Sequence, residues 1–276
     1  MAPTAGGQYH WVAMIAPESS AAFLTYLSAW VTTLSWQAMT ITASYTSATL
    51  LQGLVALTNQ SYVPRSWHTI LLMWALTLIV VAINLTTSRT LARIEGLILM
   101  LHLAGFFGVL IPLIYFAPHN DPSFVFTTFS NNGGWDSQTL AFLVGFPNVA
   151  TTLIGADCAV HMSEEIHSAS LVVPRALMST IMINGVLAFA ALVGFLFCVS
   201  DLEAAVEASS RVYYPFLEVF QSSVGSTLGA CIMASILFVL GFASSVSLYA
   251  AASRMMWSFS RDRGIPLSHL LVKVRC

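Results

Sequence analysis

Long apolar runs divide the chain, and short polar stretches separate one run from the next. A helix that crosses a membrane needs about twenty mostly apolar residues, and by this measure the sequence predicts six spans. They cover about residues 21–57, 69–85, 94–116, 140–160, 176–199 and 224–259. The first and last runs are longer than one crossing needs, which predicts that these helices tilt or project from the bilayer.

The composition supports a membrane protein. Hydrophobic residues make up 57% of the chain and charged residues 8%, whereas charged residues make up about 25% of a soluble domain. We therefore expect an all-α membrane protein with a single polytopic domain over residues 1–276, in contact with the lipid bilayer. The formal net charge of −2 excludes no class of partner, and we expect no nucleic-acid partner.

Basic residues are shared unevenly between the two predicted sides. Cytoplasmic loops retain Lys and Arg, so the side with more of them is expected to face the cytoplasm. With a cytoplasmic N-terminus, that side holds Arg89, Arg93, Arg175, Arg254, Arg261, Arg263, Lys273 and Arg275. The opposite side holds only Arg65 and Arg211. Six crossings then return the C-terminus to the cytoplasm.

The fourth predicted span contains residues that interrupt a helix. Pro147 lacks a backbone N–H, and Gly155 lowers helix propensity by about 1 kcal/mol relative to alanine. In transporters, broken helices lie at the substrate site. Asp157 follows this break, and a carboxylate at the membrane centre costs about 2.5–3.5 kcal/mol. Two roles stay open for Asp157: it caps the half-helix after Gly155, or it faces a water-filled site.

Two glutamates and two histidines follow the break. Glu164 and Glu165 are interpreted as residues of the cytoplasmic end, either solvated or paired with arginine. The candidate partners are Arg89, Arg93 and Arg175. His161 and His167 are expected at the membrane interface. The sequence His-Met-Ser-Glu-Glu is a weak metal pattern, and no arrangement of nucleophile and base is visible, so we expect neither a metal site nor an enzyme.

Three stretches, in the right order, resemble one family. "GADCAVHMSEEI" and the following "ASLVVPRAL" resemble the sixth transmembrane helix and next loop of fungal permeases in the amino acid-polyamine-organocation superfamily. The similarity is greatest to the group containing GABA, choline and general amino acid permeases. "APTAGGQYHWVAM" resembles the loop before the third helix of that group, and "SRMMWSFSRDRGIP" resembles the end of its eighth helix.

The resemblance implies a fold and a function. Members have about twelve helices in a five-plus-five inverted repeat (LeuT-like), of which this chain corresponds to the third to the eighth. It implies a secondary-active permease for amino acids or related amines such as GABA or choline, working by alternating access. The expected location is the plasma membrane, with a vacuolar or other internal membrane as the alternative. A truncated, non-transporting relative is the alternative function, and the oligomeric state stays open.

The resemblance also implies a substrate site on the broken fourth span. By position it falls on Thr151, Thr152, Ile154, Gly155, Ala156 and Asp157. It implies coupling to protons without a cofactor, and His102 and Asp157 are the candidate proton carriers. His102 is otherwise interpreted as a hydrogen-bonding residue that faces the bundle, and as the only other strongly polar group at depth.

Two further spans carry small polar residues that are expected to face the same site. On the first span these residues recur at helical spacing: Thr32, Trp36, Thr40, Ala43 and Ser47. On the sixth span they are Ser244, Ser245 and Ser247. Trp36 offers a cation–π contact worth about 0.5–2 kcal/mol. Because small residues also pack membrane helices closely, plain helix packing stays the alternative for both sets.

Overall fold

The structure, a computed structural model, describes residues 3–86, 91–129, 131 and 133–273. Within these ranges every regular element is helical. The α-helices are α1 Gln8–Ile15, α2 Ala21–Thr58, α3 Ser66–Thr86, α4 Leu91–Phe116, α5 Pro122–Thr127, α6 Gln138–Ala150, α7 Cys158–His161, α8 Ala169–Cys198, α9 Leu202–Val212, α10 Pro215–Val224, α11 Thr227–Arg261 and α12 Ser268–Leu271. Two 3₁₀ turns, Thr151–Leu153 and Ser163–Glu165, flank α7.

Four of the described helices are long and apolar enough to cross a membrane. They are α3, α4 from Arg93, α8 and α11. The longest helix, α2, has 38 residues and no charged side chain, but its threonines, serines and glutamines lower its mean hydropathy. The fourth predicted span is divided between α6 and α7. That six segments cross the membrane stays a prediction.

Helices α2 and α11 form the centre of the molecule. They run antiparallel, because Ala29 and Trp36 near the start of α2 pack with Ala252 and Met255 near the end of α11. At the other end, Leu57 of α2 shares a buried cluster with the first turns of α11. The buried face of α2 follows helical spacing and consists mainly of small residues: Ala29, Thr33, Trp36, Thr40, Ser44 and Ser47. Small side chains let the two backbones approach closely.

Hydrogen bonds between side chains join α3 to this central pair. The hydroxyl groups of Ser44, Thr77 and Tyr249, from α2, α3 and α11, lie 2.9–3.2 Å from one another. Near the far end of α2, the buried Gln52 amide donates to the Thr69 hydroxyl at 2.9 Å. Polar groups in an apolar interior are costly unless they are paired, and these contacts pair Ser44 and Gln52, two of the polar residues that α2 buries.

Helices α6 and α8 lie on the opposite side and bury little. No residue of α6 is buried, and α8 buries only Val173, Gly194 and Cys198. Their apolar side chains, such as Phe142 and Phe189, are largely exposed. The molecule therefore has a packed, hydroxyl-rich centre and an exposed apolar side, and the segment between α6 and α8 lies where the two meet.

Candidate functional site

The helix of the fourth predicted span is broken at the predicted glycine. Helix α6 ends at Ala150, a 3₁₀ turn follows, and residues 154–157 form a turn before α7 begins. Gly155 has a φ of +89°, a conformation that side-chain-bearing residues adopt only at a cost. Pro147 lies inside α6 without ending it. The interruption is therefore made by Gly155.

A cavity of about 490 Å³ opens beside this turn, and we call it the break cavity. Its lining comes from the N-terminal segment, α2, the turn and α8: Gln8, Val31, Thr32, Ser35, Trp36, Met39, Leu153, Ile154, Gly155, Ala156, Asp157, Leu177 and Ile181. Among these described residues Asp157 is the only charged one. The hydroxyl groups of Thr32 and Ser35 make no hydrogen bond with the described residues and are available to a ligand.

Asp157 is held by side chains rather than by a helix end. Its Oδ2 accepts a hydrogen bond from the Gln8 side-chain amide and lies 3.6 Å from His161 Nε2. Its carboxylate accepts no capping hydrogen bond from the backbone of α7, and four residues are too few for a substantial helix dipole. The capping role is therefore wrong. The side chain is 30% exposed, towards the break cavity.

His161 is buried among protein groups, whereas its location at the membrane interface stays a prediction. Its side chain is 1% exposed, and its Nδ1 donates to the Ala5 carbonyl at 2.8 Å. The Trp36 indole meets the imidazole edge to face, with ring centroids 5.0 Å apart. Gly7, at a φ of +54°, passes so close that a Cβ there would lie 2.9 Å from His161 Cε1. The histidine is enclosed because the N-terminal segment, residues 3–15, covers it.

A tyrosine fixes the N-terminal segment to the end of α11. Tyr9 donates its phenolic proton to Asp262 Oδ2 at 2.7 Å, and the Ser258 hydroxyl lies 3.0 Å from the phenolic oxygen. Burial raises the pKa of Tyr9 well above its usual range, so the phenol stays a donor. Gln8, the preceding residue, is thereby held in reach of Asp157.

Two arginines of α11 hold the segment that follows α7. Glu164 accepts two hydrogen bonds from Arg261 at 2.9 and 3.0 Å. Glu165 binds Arg254 in the same two-pronged way, with one contact at 2.9 Å. The expected pairing with Arg175 is wrong, and Arg89 lies outside the described residues. Arg93, the remaining candidate, makes no ion pair with either glutamate.

An acidic residue of α4 also reaches this region. The Ser247 hydroxyl donates to Glu95 Oε1 at 2.5 Å, and the Cys158 thiol lies 3.8 Å from the Ser247 carbonyl. His102 is therefore not the only other strongly polar group in the third predicted span, since Glu95 begins the same span. The position of Glu95, close to the predicted start of the third span, is the signal that could have identified it.

The structure brings together only part of the predicted site. Ile154, Gly155, Ala156, Asp157 and Trp36 line the break cavity, together with Thr32 of the predicted stripe. The other predicted residues lie outside it: Thr40, Ala43, Ser47, Thr151, Thr152, Ser244, Ser245 and Ser247.

Five of the residues outside the cavity are exposed or make hydrogen bonds elsewhere. Thr151 and Thr152 are exposed, and their hydroxyl groups donate to backbone carbonyls of α6 at 2.5 and 2.8 Å. Thr40 is buried and donates to the Gln37 carbonyl at 2.7 Å. Ser245 is buried and donates to the Gly241 carbonyl at 3.0 Å, whereas Ser244 is exposed.

His102 lies in a different cavity. This second cavity, of about 370 Å³, is apolar and lies between α4, α8, α10 and α11. His102 makes no hydrogen bond with the residues that the structure describes, and its hydrogen-bonding role stays a prediction. The polar groups that sequence analysis missed, Gln8 and His161, are instead the ones beside Asp157.

Comparison with known proteins identifies the class. The family model described as amino acid permease matches residues 1–276, and the chain belongs to this family of integral membrane transporters. A choline transporter of Saccharomyces cerevisiae is 31% identical over 99% of this chain and 48% of its own length.

Two other relatives have different names. The GABA-specific permease of S. cerevisiae is 26% identical over 99% of this chain and 48% of its own length. Amino-acid permease 2 of Neurospora crassa is 26% identical over 99% of this chain and 50% of its own. The chain spans about half the length of the curated relatives it matches. No solved structure matches the chain.

Proposed function

We propose that the chain contributes the broken-helix side of the substrate site in a secondary-active transporter for amines. The class includes choline, GABA and amino acids, each of which carries a cationic nitrogen. The proposal rests on the break cavity, where Asp157 is the one charged lining residue and Trp36 supplies an aromatic surface. A carboxylate beside an indole suits a cationic group.

The second polar group of a substrate has partners on the same wall. The free hydroxyl groups of Thr32 and Ser35 lie on α2, which also carries Trp36, and line the break cavity. They suit the hydroxyl of choline or the carboxylate of an amino acid, because a hydroxyl both donates and accepts. We further propose that transport proceeds by alternating access and is coupled to protons.

A non-transporting role is the second candidate. It is favoured by one observation, the lack of any buried residue in α6, since transport by this mechanism requires one bundle of helices to move against another. The two candidates differ in transport but not in binding. Uptake of radiolabelled choline, GABA and amino acids by reconstituted chain separates them: saturable, substrate-specific uptake excludes the second.

The binding experiment uses pairs of molecules of which only one carries a cationic nitrogen. The chain in lipid nanodiscs is tested for binding of radiolabelled choline, with 3,3-dimethylbutanol, its neutral isostere, as competitor. GABA and butyrate, which lacks the amine, form a second pair. We expect choline and GABA to compete and the two molecules without a cationic nitrogen not to. Equal competition by the neutral isostere would exclude a role for the carboxylate.

The variant Asp157→Asn tests the residue itself. Choline has no N–H, so its ammonium group meets the carboxylate through charge alone, and loss of that charge is expected to weaken choline binding about tenfold or more. Asp136→Asn, at an exposed aspartate outside the cavity, is the matched control and is expected to bind normally. Normal binding by Asp157→Asn would refute the proposed site.

A further inference from the structure

The hydrogen bonding of His161 leaves one of its nitrogens facing Asp157. A backbone carbonyl only accepts, so the 2.8 Å contact to Ala5 requires that Nδ1 carry a proton. In a neutral imidazole the other nitrogen, Nε2, is then a bare lone pair. That nitrogen is buried without a hydrogen-bond partner, and its nearest charged atom is Asp157 Oδ2 at 3.6 Å.

A bare Nε2 opposite an ionised carboxylate is an unfavourable arrangement. Two lone pairs then face each other in a region where the dielectric response of water is weak. A water that donates to both would hold them about 4.5 Å apart, which is more than the 3.6 Å between these atoms. One proton removes the repulsion, either as an imidazolium that donates to the carboxylate or as a carboxylic acid that donates to Nε2.

We propose that Asp157 and His161 together bind one proton, and that a cationic substrate in the break cavity displaces it. The second part rests on the proposed function; the first does not. Carboxylate Oδ2 faces both the imidazole and, through its exposed fraction, the cavity. When the substrate cation pairs with Asp157, the shared proton leaves to water and neutral His161 remains. One positive charge replaces another, so the charge of the site is unchanged.

Gln8 positions the carboxylate for this exchange. Its amide donates to the same Oδ2 that faces His161, a contact that persists whether the carboxyl group is ionised or protonated. Ala5, three residues earlier, supplies the carbonyl that fixes the imidazole tautomer. Both residues belong to the N-terminal segment, and Tyr9 fixes that segment to α11.

The other charged groups near the pair are already engaged. From α4, Glu95 accepts the Ser247 hydroxyl. From α11, Arg254 and Arg261 bind Glu165 and Glu164, and Asp262 accepts from Tyr9. Cys158, on α7 itself, lies near enough to feel the charges of Glu95 and Asp157. The described residues of α2 and α8 that line the cavity are uncharged: Val31, Thr32, Ser35, Trp36, Met39, Leu177 and Ile181. His161 is thus the group with which Asp157 shares a proton.

The first test needs no substrate. Infrared difference spectra between high and low pH are recorded for the chain in nanodiscs, with His161→Gln, Asp157→Asn and His167→Gln for comparison. His167→Gln changes an exposed histidine of the same segment. We expect imidazole and carboxyl signals of the pair to titrate together, and both to change in either site variant but not in the control. Independent titration, with the Asp157 signal unchanged in His161→Gln, would overturn the shared proton.

The second test measures exchange directly. Choline is added to the chain in weakly buffered solution containing a pH-sensitive dye. We expect up to one proton to be released per choline bound. Below the pH at which the pair binds its proton, the apparent affinity for choline should fall about tenfold for each unit by which the pH is lowered. His161→Gln should release none and bind choline with little dependence on pH. The neutral isostere 3,3-dimethylbutanol should release none.

The outcomes separate this inference from the proposed function. Choline binding without proton release, at every pH, would refute the displacement and leave the amine site intact. Absence of binding by choline, GABA and amino acids alike would refute the proposed function, and with it the displacement. In that case the infrared signals alone decide whether Asp157 and His161 share a proton. A misfolded His161→Gln is recognised by thermal unfolding, and Asp157→Asn, which removes the other half of the pair, then decides whether the proton is shared.

Discussion

In the α2–α11 pair and the α6–α8 side, helices α2 and α8 relate composition to burial in opposite ways. Helix α2 is too rich in hydroxyl and amide side chains to rank among the apolar helices, yet it buries thirteen residues. Helix α8 has high mean hydropathy and buries three. In lipid, an apolar side chain loses nothing by exposure, whereas small and hydroxyl-bearing residues bring helices together. Burial in this membrane protein follows small size and hydrogen bonding rather than hydropathy.

The break cavity lies where the two regions meet. Thr32 and Trp36 belong to the packed region, whereas Leu177 and Ile181 belong to the exposed helix α8. Asp157, on the turn between them, is held from the packed side by Gln8 and His161. The site is therefore fixed on one wall by buried contacts and bounded on the other by a helix that packs against little.

The comparison fails if α2 does not cross the membrane as α8 is expected to. Ser19 precedes α2 and Ser61 follows it, so α2 is the one predicted span between them. Single cysteines at Ser19 and Ser61 are expected to react with a membrane-impermeant reagent from opposite sides. The parent chain, with only its own cysteines, gives the background. Labelling of both positions from one side would show that α2 is not a span.

Replacement of one alanine in each region by leucine measures how differently the two regions are packed. Ala251 of α11 is fully buried, and Ala251→Leu is expected to lower the free energy of unfolding by about 1–3 kcal/mol because the helices must separate. Ala190 of α8 is exposed, and Ala190→Leu is expected to be almost neutral in lipid. Unfolding by denaturing detergent from mixed micelles gives both values. Equal destabilisation would mean that α8 also packs against something.

Substitution of two glycines of the fourth predicted span distinguishes its broken part from its helical part. Gly155→Ala is expected to destabilise by about 1–2 kcal/mol, since a φ of +89° is unfavourable for alanine. A Cβ there would meet only atoms 3.9 Å away, so the effect isolates backbone conformation. Gly145→Ala, inside α6 with no atom within 4 Å, is expected to stabilise by about 0.5–1 kcal/mol. The same detergent titration measures both changes in the free energy of unfolding. Changes of the same sign would contradict the break in the helix.

Sequence reasoning reached the helices and the break because both are encoded locally. An apolar run of helical length and a glycine within it are visible in one window, and the bounds of α2 and α11 fall within a few residues of the prediction. The partners of the break are not local. Gln8 lies 149 positions from Asp157, and Arg254 lies 89 from Glu165. Their pairing depends on how the helices pack, which the periodicity of one helix does not determine.

The buried histidine was missed for a related reason. His161 follows an apolar run and precedes two glutamates, a context typical of a membrane interface. It is enclosed because Gly7 allows the N-terminal segment to pass directly over its ring. The glycine pair Gly6-Gly7 was the available signal, since adjacent glycines permit a close approach of backbone to another group.

The ion pairs after α7 are expected to have the smallest effect. Glu164, Glu165 and their arginines are partly exposed, by 23–56%, and exposed pairs contribute about 0.2–1 kcal/mol each. Glu165→Gln should lower the free energy of unfolding by less than about 1 kcal/mol, and Glu207→Gln, at an exposed glutamate outside the ion pairs that the structure describes, by less still.

The dependence on salt concentration distinguishes this small contribution to stability from a larger role in substrate binding. Near 1 M salt, where charges are screened beyond about 3 Å, the difference between Glu165→Gln and the parent chain should shrink. Choline binding should change little, because Asp157 is held by Gln8 and His161 and not by these pairs. A loss of binding as large as that of Asp157→Asn would mean that the break is held in place chiefly by α11, and that the buried contacts on the packed side are insufficient to position the carboxylate.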